Sequence, residues 1–134
     1  MTDYTEEILN YIKLEKDIMD CLEINEINNA MNLIEKTFYQ ESNIFIFGNG
    51  GSSATASHYQ NDFNKGISEY TDKKFRFQCL NDNIPTVIAI ANDIGFDEVF
   101  RFQLKGKLSK DDIIIAISGS GNSKNVLNAV EYAK

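Results

Sequence analysis

The chain has 134 residues, 43% hydrophobic and 25% charged, with a formal net charge of −7 at pH 7. Such a composition is typical of soluble proteins, and the length suffices for one compact domain but not for two. Acids outnumber bases by nine to three in residues 1–40 and by only eleven to ten in residues 41–134. This acidic balance disfavours nucleic-acid binding. Because residues 41–134 are nearly neutral, they can accept an anionic small ligand.

Two further features of the sequence bear on its location. No apolar run approaches the roughly 18 residues that a membrane span needs, and the N-terminus is acidic where a signal peptide would be basic. We therefore expect a cytoplasmic protein with no membrane contact. Cys21 and Cys79 lie in unrelated contexts, which favours two buried thiols over a disulfide or a metal pair.

The first forty residues predict two amphipathic helices. Apolar side chains recur at close to helical spacing in residues 4–22 and again in residues 26–39. The apolar positions are Ile8, Tyr11, Ile12, Ile18, Met19 and Leu22 in the first segment and Ile27, Ala30, Met31, Ile34 and Phe38 in the second. Because one small sheet cannot cover so much apolar surface, we expect residues 1–40 to make subunit contacts.

The stretch IFIFGNGGSSATASHYQNDF, residues 44–63, predicts a buried strand, a glycine turn and a helix. Ile44 to Phe47 form an unbroken run of β-branched and aromatic residues, and the small residues Gly48 to Ser52 cannot continue it. The turn therefore lies at the carboxyl end of the strand. In α/β proteins that end is where ligands bind.

The middle of the chain is less regular. Residues 64–74 predict a polar loop, and Phe75 to Leu80 alternate as in an edge or half-buried strand. Residues 85–92 leave two possibilities open, since TVIAIA has the composition of a strand while Pro85 is suited to open a helix after Asn83. Asp97 to Leu108 predict a helix with acids in its first turn and lysines in its last.

A second strand, turn and helix follow at the end of the sequence. Asp111 and Asp112 lead into IIIAI, a continuous apolar run typical of a central parallel strand. SGSGNSKNVLNAVEYAK then predicts another small-residue turn and a helix with Val126, Leu127 and Val130 on one face. The repetition of this unit predicts an α/β fold with a parallel sheet.

Both turns have the residues that a phosphate monoester requires. A turn that opens a helix presents backbone N–H groups and a favourable dipole, to which these turns add serine hydroxyls. The serines on offer are Ser52, Ser53, Ser118, Ser120 and Ser123. A helix cap at Ser123 and glycines that only turn the chain remain the alternative. A dinucleotide fingerprint would need glycine at Ser53, and neither turn has a P-loop lysine, so a phosphosugar is favoured over a nucleotide.

His58 and Asp62 are four residues apart on the first predicted helix and so share a face. They could be two ligands of a metal site completed from elsewhere, or a histidine bonded to a neighbouring acid. The spacing alone favours the second alternative, because metal sites need three or four ligands and the chain has no other histidine. Asp62 is also suited to act as a general base.

Three blocks together resemble the sugar isomerase (SIS) domain family, and most closely its phosphoheptose isomerase branch. They are GNGGSSATASHYQNDF, NDNIPTVIAIANDIGFDEVF and ISGSGNSKNVLNAVEYAK, in that order, within residues 44–134. The resemblance implies a flavodoxin-like three-layer α/β sandwich with a parallel sheet flanked by helices, of which residues 41–134 form the N-terminal part. It implies a helix at TVIAIA, a homotetramer or dimer, and zinc-dependent interconversion of sedoheptulose 7-phosphate and a heptose 7-phosphate for surface polysaccharides.

The resemblance also implies site residues. It matches His58 with a zinc ligand, in favour of the metal alternative, and Asp62 with a residue that is both zinc ligand and proton-transferring base. It assigns contacts with the phosphosugar, or the shaping of its turns, to Asn49, Gly51, Ser52, Asp93, Ser118, Ser120, Asn122 and Ser123.

The sequence departs from the family pattern in two ways. Asp62 stands where the isomerase branch has glutamate, and the missing methylene alters the reach of the carboxylate. Family members also continue for several strands and helices that carry the remaining zinc ligands and a second acid/base histidine, so we expect a truncated chain with an incomplete metal site. Both departures leave open a non-catalytic module of the same fold that binds a phosphosugar or bridges proteins.

Overall fold

The computed structural model describes residues 1–134 and contains two compact units, Met1–Leu33 and Ile34–Lys134. The first unit holds helix α1 (Thr5–Asp20) and the start of helix α2 (Ile24–Tyr39), which confirms the two predicted helices. No residue of α1 is buried, and its apolar side chains are exposed to solvent. The predicted domain boundary between residues 40 and 41 stays a prediction.

The second unit is built on a parallel three-stranded sheet, as the sequence predicts. The strands are β1 (Ile44–Gly48), β2 (Phe77–Cys79) and β3 (Ile113–Ile117), in the order β2-β1-β3. The edge position of β2 agrees with its alternating sequence. Within these 134 residues β3 lies at the other edge and its five residues are half-buried, and its central position in the sheet stays a prediction.

Side chains of β1 alternate between two hydrophobic clusters because successive residues of a strand point to opposite faces of the sheet. Phe45 and Phe47 pack in one cluster with residues of the later helices, such as Leu104. Ile44 and Ile46 pack in the other with Ala56 of the helix that follows β1. The sheet is therefore covered on both faces, as expected for a parallel sheet.

The helices of this unit follow the predictions in part. Helix α3 (Gly51–Asn61) continues into a π-helical turn (Asp62–Gly66) and a 3-10 turn (Ile67–Tyr70), so the polar loop predicted from residue 64 begins only after Tyr70. The hydroxyl of Ser68 donates to the Phe63 carbonyl at 2.7 Å and accepts from the Phe75 N–H at 3.0 Å, which orders this segment.

The ambiguous segment after β2 is a helix, α4 (Ile84–Asp93), as the resemblance implies. The Asn83 side chain accepts a hydrogen bond from the Thr86 N–H at 3.2 Å, and Pro85 lies in the first turn, so the capping residues outweigh the β-branched composition.

The long helix predicted over residues 97–108 is wrong. A 3-10 turn (Phe96–Glu98) and a short helix, α5 (Arg101–Leu104), take its place. The chain leaves helical geometry at Lys105, and Gly106 follows with a φ of +74°, a conformation that glycine adopts without strain. Helix α6 (Lys124–Ala133) closes the fold with Val126 buried, although Leu127, expected on the same face, is exposed.

Both cysteines are free thiols, as predicted, but only Cys79 is buried and Cys21 is exposed. Burial raises the pKa of the Cys79 thiol to about 11, so this thiol is neutral near pH 7. None of the helices combines the length and the apolar character that crossing a membrane requires.

Gly48, the last residue of β1, lies where two strands and a helix approach most closely. A Cβ atom at this position would be 2.7 Å from the Ile117 carbonyl oxygen and 2.7 Å from Cβ of Ser52. One of these contacts is backbone, which cannot rotate away. Glycine is therefore required for the start of α3 and the end of β3 to meet.

We expect Gly48→Ala to lower the free energy of unfolding by about 1–3 kcal/mol, the usual cost of forcing a methyl group into a filled site. Gly66→Ala is the matched control, because Gly66 has a helical φ of −59° and a methyl group added there would meet open space. Urea unfolding of both variants measures the effect. An unchanged midpoint for Gly48→Ala would contradict this account of the close approach.

Candidate active site

Two small-residue turns lie at the same edge of the sheet. The first turn, residues 48–53, includes the end of β1 and the first residues of α3, and the second turn, residues 118–125, follows β3 and includes the first two residues of α6. Gly48 is paired with Ile117 in the parallel register of β1 and β3. The turns are therefore neighbours, and each opens a helix whose positive dipole end favours an anion.

Side-chain hydrogen bonds join the two turns to each other. Asn49 of the first turn donates from Nδ2 to Oδ1 of Asn125 at 2.9 Å, and Asn125 donates from Nδ2 back to Oδ1 of Asn49 at 2.9 Å. Asn125 lies in the first helical turn of α6 and is 1% exposed. The structure thus engages the side chain of Asn49, predicted as a ligand contact, in a link between the turns.

The second turn holds its serine hydroxyls as acceptors. Ser118 Oγ accepts from the Gly121 N–H at 3.1 Å, and Ser120 Oγ accepts from the Asn122 N–H at 3.2 Å. Asn122 also donates from its side chain to the Ser120 carbonyl at 2.9 Å. Since a hydroxyl group has one proton to donate, both serines retain an O–H that can point to an oxyanion.

Ser123 does not have the capping role considered for it. It occupies the N-cap position of α6, but its side chain makes no cap hydrogen bond. The first helical turn is satisfied instead by Asn125, whose Oδ1 accepts from the Val126 N–H at 2.9 Å.

The first turn distinguishes its two serines. Ser53 donates its hydroxyl proton to the Gly50 carbonyl at 2.7 Å and so stabilises the turn itself. Ser52 is half-buried beside Gly51, the first residue of α3. Gly50, with a φ of +55°, provides the left-handed conformation that the turn needs.

Asp93 lies apart from this arrangement of hydrogen bonds. It is the last residue of α4, is exposed, and accepts a hydrogen bond from the side chain of its neighbour Asn92 at 2.7 Å. No hydrogen bond or ion pair joins Asp93 to either turn, so its predicted contact with substrate stays a prediction.

His58 and Asp62 form a pair on one face of α3 and the π-helical turn. Nε2 of His58 lies 3.3 Å from Oδ2 of Asp62, and the two side chains are 73% and 51% exposed. At 1.5 Å of rise per residue, His58 lies about 10 Å along the helix from Gly51. The pair is therefore separate from the turns, at a distance that an extended ligand has to bridge.

His58 and Asp62 are of the residue types that bind zinc, but two side chains are fewer than a zinc site needs. An imidazole nitrogen and a carboxylate oxygen are both common zinc donors. No group of three or more His, Cys, Asp or Glu side chains in these 134 residues is arranged to hold a metal ion. The pair accordingly offers a metal ion no more than two donors.

Comparisons with known proteins identify the family of the chain. The model of the SIS domain family matches residues 4–134. The chain belongs to the SIS domain family. Among curated SIS relatives, it is 39% identical over 121 residues to the phosphoheptose isomerase of Helicobacter pylori (strain ATCC 700392 / 26695), an alignment that covers 90% of this chain. It is 36% identical over 113 residues to the phosphoheptose isomerase of Thermodesulfovibrio yellowstonii, which covers 83% of this chain.

The chain spans only part of these relatives. The alignments cover 62% of the Helicobacter protein and 55% of the Thermodesulfovibrio protein. The solved phosphoheptose isomerase from Neisseria gonorrhoeae superposes with a TM-score of 0.82 at 29% identity, over 96% of this chain and 66% of that one. The structure from Francisella tularensis, at a TM-score of 0.87 and 24% identity, covers 98% of this chain and 70% of that one and supports the fold.

Two asparagines that hold the first turn were not identified from the sequence. Asn81 follows β2, accepts from the Gly48 N–H at 3.2 Å and donates to the Gly48 carbonyl at 2.9 Å. Asn125 makes the link to Asn49 described above. The only sign of Asn125 in the sequence is a polar residue next to the apolar Val126 at the start of an amphipathic helix. The sequence does not indicate its partner Asn49, because that contact depends on how the strands pair.

Proposed function

We propose that the protein is a phosphosugar aldose-ketose isomerase that interconverts sedoheptulose 7-phosphate and D-glycero-D-manno-heptose 7-phosphate. The observation that carries the proposal is the meeting of two helix-opening, serine-bearing turns at one edge of a parallel sheet. The relatives named phosphoheptose isomerase, at 36–39% identity, favour this substrate over other phosphosugars. They also favour an enzyme over a non-catalytic module, and the proposed place of the reaction is surface polysaccharide synthesis in the cytoplasm.

The turns would bind the phosphate and so fix the position of the sugar chain. In this assignment Ser52, Ser118, Ser120 and Ser123 donate to the phosphate oxygens, Asn49, Gly51 and Asn122 shape the turns, and Asp93 contacts the sugar. Convergent donors at helix N-termini hold a dianion without a bulky basic side chain. Binding at one end converts proton transfer at the other end into an intramolecular step.

The chemical step moves a proton between C1 and C2 of the sugar through an enediol. We assign Asp62 as the base that removes the proton from one carbon and returns it to the neighbouring carbon, while the carbonyl and hydroxyl oxygens exchange a proton in the opposite sense. The Asp62 carboxylate is half-exposed and lies next to His58, so it is accessible from solvent as a base has to be. A well-placed general base contributes roughly 10²–10⁴ to the rate.

His58 and Asp62 are assigned as two zinc ligands in this proposal. A bound zinc ion would polarise the sugar carbonyl and stabilise negative charge on its oxygen. The chain's own contribution is to hold the imidazole and the carboxylate on one helical face, 3.3 Å apart.

Removal of the second-turn hydroxyls should weaken phosphosugar binding. We expect each of Ser118→Ala, Ser120→Ala and Ser123→Ala to raise the Kd and KM for sedoheptulose 7-phosphate about tenfold, because each removes a hydrogen bond to a charged group. Ser109→Ala is the matched control, since Ser109 is exposed and precedes β3 at the opposite end of the strand. Calorimetry and an isomerase assay with added zinc give the two constants.

The same measurements separate the candidate functions. Turnover with a raised KM in the variants supports the isomerase. Tight binding without turnover, with zinc demonstrably bound, would assign the chain to a non-catalytic phosphosugar-binding module. Absence of both binding and turnover would refute the proposed function.

The zinc assignment makes its own prediction. His58→Ala and Asp62→Ala should each weaken zinc binding at least tenfold in competition with a chelator, because each removes one of two donors, whereas Asp62→Glu should retain it. Glu69→Ala is the control, an exposed acid that is paired with Lys65 in the same segment. Equal zinc affinity in the wild type and in His58→Ala would rule out this pair as ligands.

We also propose that the apolar surface of α1 makes subunit contacts in a homodimer or homotetramer. Ile8, Tyr11, Ile12 and Ile18 are between 42% and 62% exposed, a large amount for apolar side chains that recur along one helix.

An acidic substitution on α1 should break such contacts. Ile12→Glu is expected to shift the mass measured by light scattering toward the monomer, because a buried unpaired carboxylate is costly. Lys13→Glu, an acid placed at the next position, is the control and should leave the mass unchanged. A wild-type chain that is monomeric at every concentration tested would contradict this assignment.

A further inference from the structure

The pair formed by Asn49 and Asn125 is a specific connection between the two turns. Each side chain gives one hydrogen bond to the other and accepts one in return, both at 2.9 Å. A carboxamide can bond in this reciprocal way because it has both a donor and an acceptor at its end. The pair therefore fixes the relative position of the turns in both directions.

The surroundings of Asn125 leave its side chain no alternative arrangement. It is 1% exposed, and its Oδ1 accepts a second hydrogen bond from the Val126 N–H at 2.9 Å. The oxygen is therefore oriented by α6 itself, which leaves the amide nitrogen to point to Asn49. Rotation of the Asn125 amide by 180° would place its Nδ2 against two other donors, Nδ2 of Asn49 and the Val126 N–H. The same rotation would place its Oδ1 against Oδ1 of Asn49.

The first turn is held from its other side as well. Asn81 bonds both the N–H and the carbonyl of Gly48, at 3.2 and 2.9 Å. Gly48 itself is in close contact with the end of β3 and the start of α3. Residues 48 and 49 are thus fixed between β2 on one side and α6 on the other, before any ligand binds.

We propose that Asn125 is a positioning residue for the anion site, which holds the first turn against the second so that their donors converge on one phosphate group. The proposal rests on the proposed function. Asn125 itself is buried and has no contact with the ligand in this assignment. Its effect is exerted through Asn49, to which it is hydrogen-bonded. When the donors of a site are already in place, binding costs less conformational entropy and the affinity is higher.

A purely structural role for Asn125 makes a different prediction. A buried amide that only satisfies the start of α6 would lower stability when replaced, with no change in anion affinity below the unfolding transition. Asn64 provides the comparison, since it bonds the Phe77 carbonyl at 2.8 Å and the Phe77 N–H at 2.9 Å. Phe77 is paired with Ile44, at the opposite end of β1 from the turns.

The test uses inorganic sulfate and sedoheptulose 7-phosphate as probes of the purified chain. Asn125→Leu has a similar volume and no charge but loses both the donor and the acceptor toward Asn49, and Asn125→Ala also loses the side-chain volume. We expect the Kd for both probes to rise about tenfold in Asn125→Leu and further in Asn125→Ala. Asn64→Leu should lower the unfolding midpoint while leaving both Kd values unchanged.

A double-mutant cycle with Asn49→Ala identifies the route of the effect. If Asn125 acts through Asn49, then Asn125→Ala should have no further effect on the Kd in the Asn49→Ala background. Additive effects, or Asn125 variants that bind as tightly as the wild type, would overturn the positioning role while leaving the proposed function intact. A wild-type chain that binds neither probe would instead refute the proposed function, and the positioning role with it.

Discussion

The parallel pairing of β1 with β3 is the constraint on which the rest of the second unit depends. Their register runs from Ile44 opposite Ile113 to Gly48 opposite Ile117, so both strands end at the same level. Each strand is followed at once by a small-residue turn and a helix. Because the strands are parallel, the two turns and the two helix N-termini meet at one edge, and no other part of the structure has to bring them there.

This meeting requires the absence of a side chain at one position. A methyl group on Gly48 would be 2.7 Å from a backbone oxygen of β3, which explains why an apolar, β-branched strand ends in glycine. Two other glycines of the turns, Gly50 and Gly121, have a different role, since they have positive φ values and open space around them. Close packing and backbone conformation are thus separate reasons for glycine within the same two turns.

Side-chain amides satisfy the backbone where the sheet ends. Asn64 bonds the exposed edge of β2 at Phe77, and Gln60 accepts from the N–H of Cys79, so the helix after β1 covers an edge that would otherwise be open to another chain. Asn81 does the same for Gly48, and Asn125 does so for the Val126 N–H at the start of α6. No buried side-chain nitrogen or oxygen of the chain lacks a partner. The buried polar groups around the turns are therefore paired, whereas the His58 and Asp62 side chains are 73% and 51% exposed.

The sequence by itself determined the alternation of strands, turns and helices in residues 44–134, because local apolar runs and glycine-serine clusters are strong signals. It also determined the parallel sheet and the candidate serines, and the family resemblance resolved the helix at residues 84–93 against its composition. It did not predict the π-helical continuation of α3, since this depends on what packs against the segment.

Only the tertiary structure decided how the turns are held together. Asn49 and Asn125 are separated by 76 positions. An asparagine at either position does not by itself indicate which residue it bonds. A reciprocal amide pair forms only when two backbones approach at one distance and angle, and that geometry follows from strand register and helix packing rather than from local sequence.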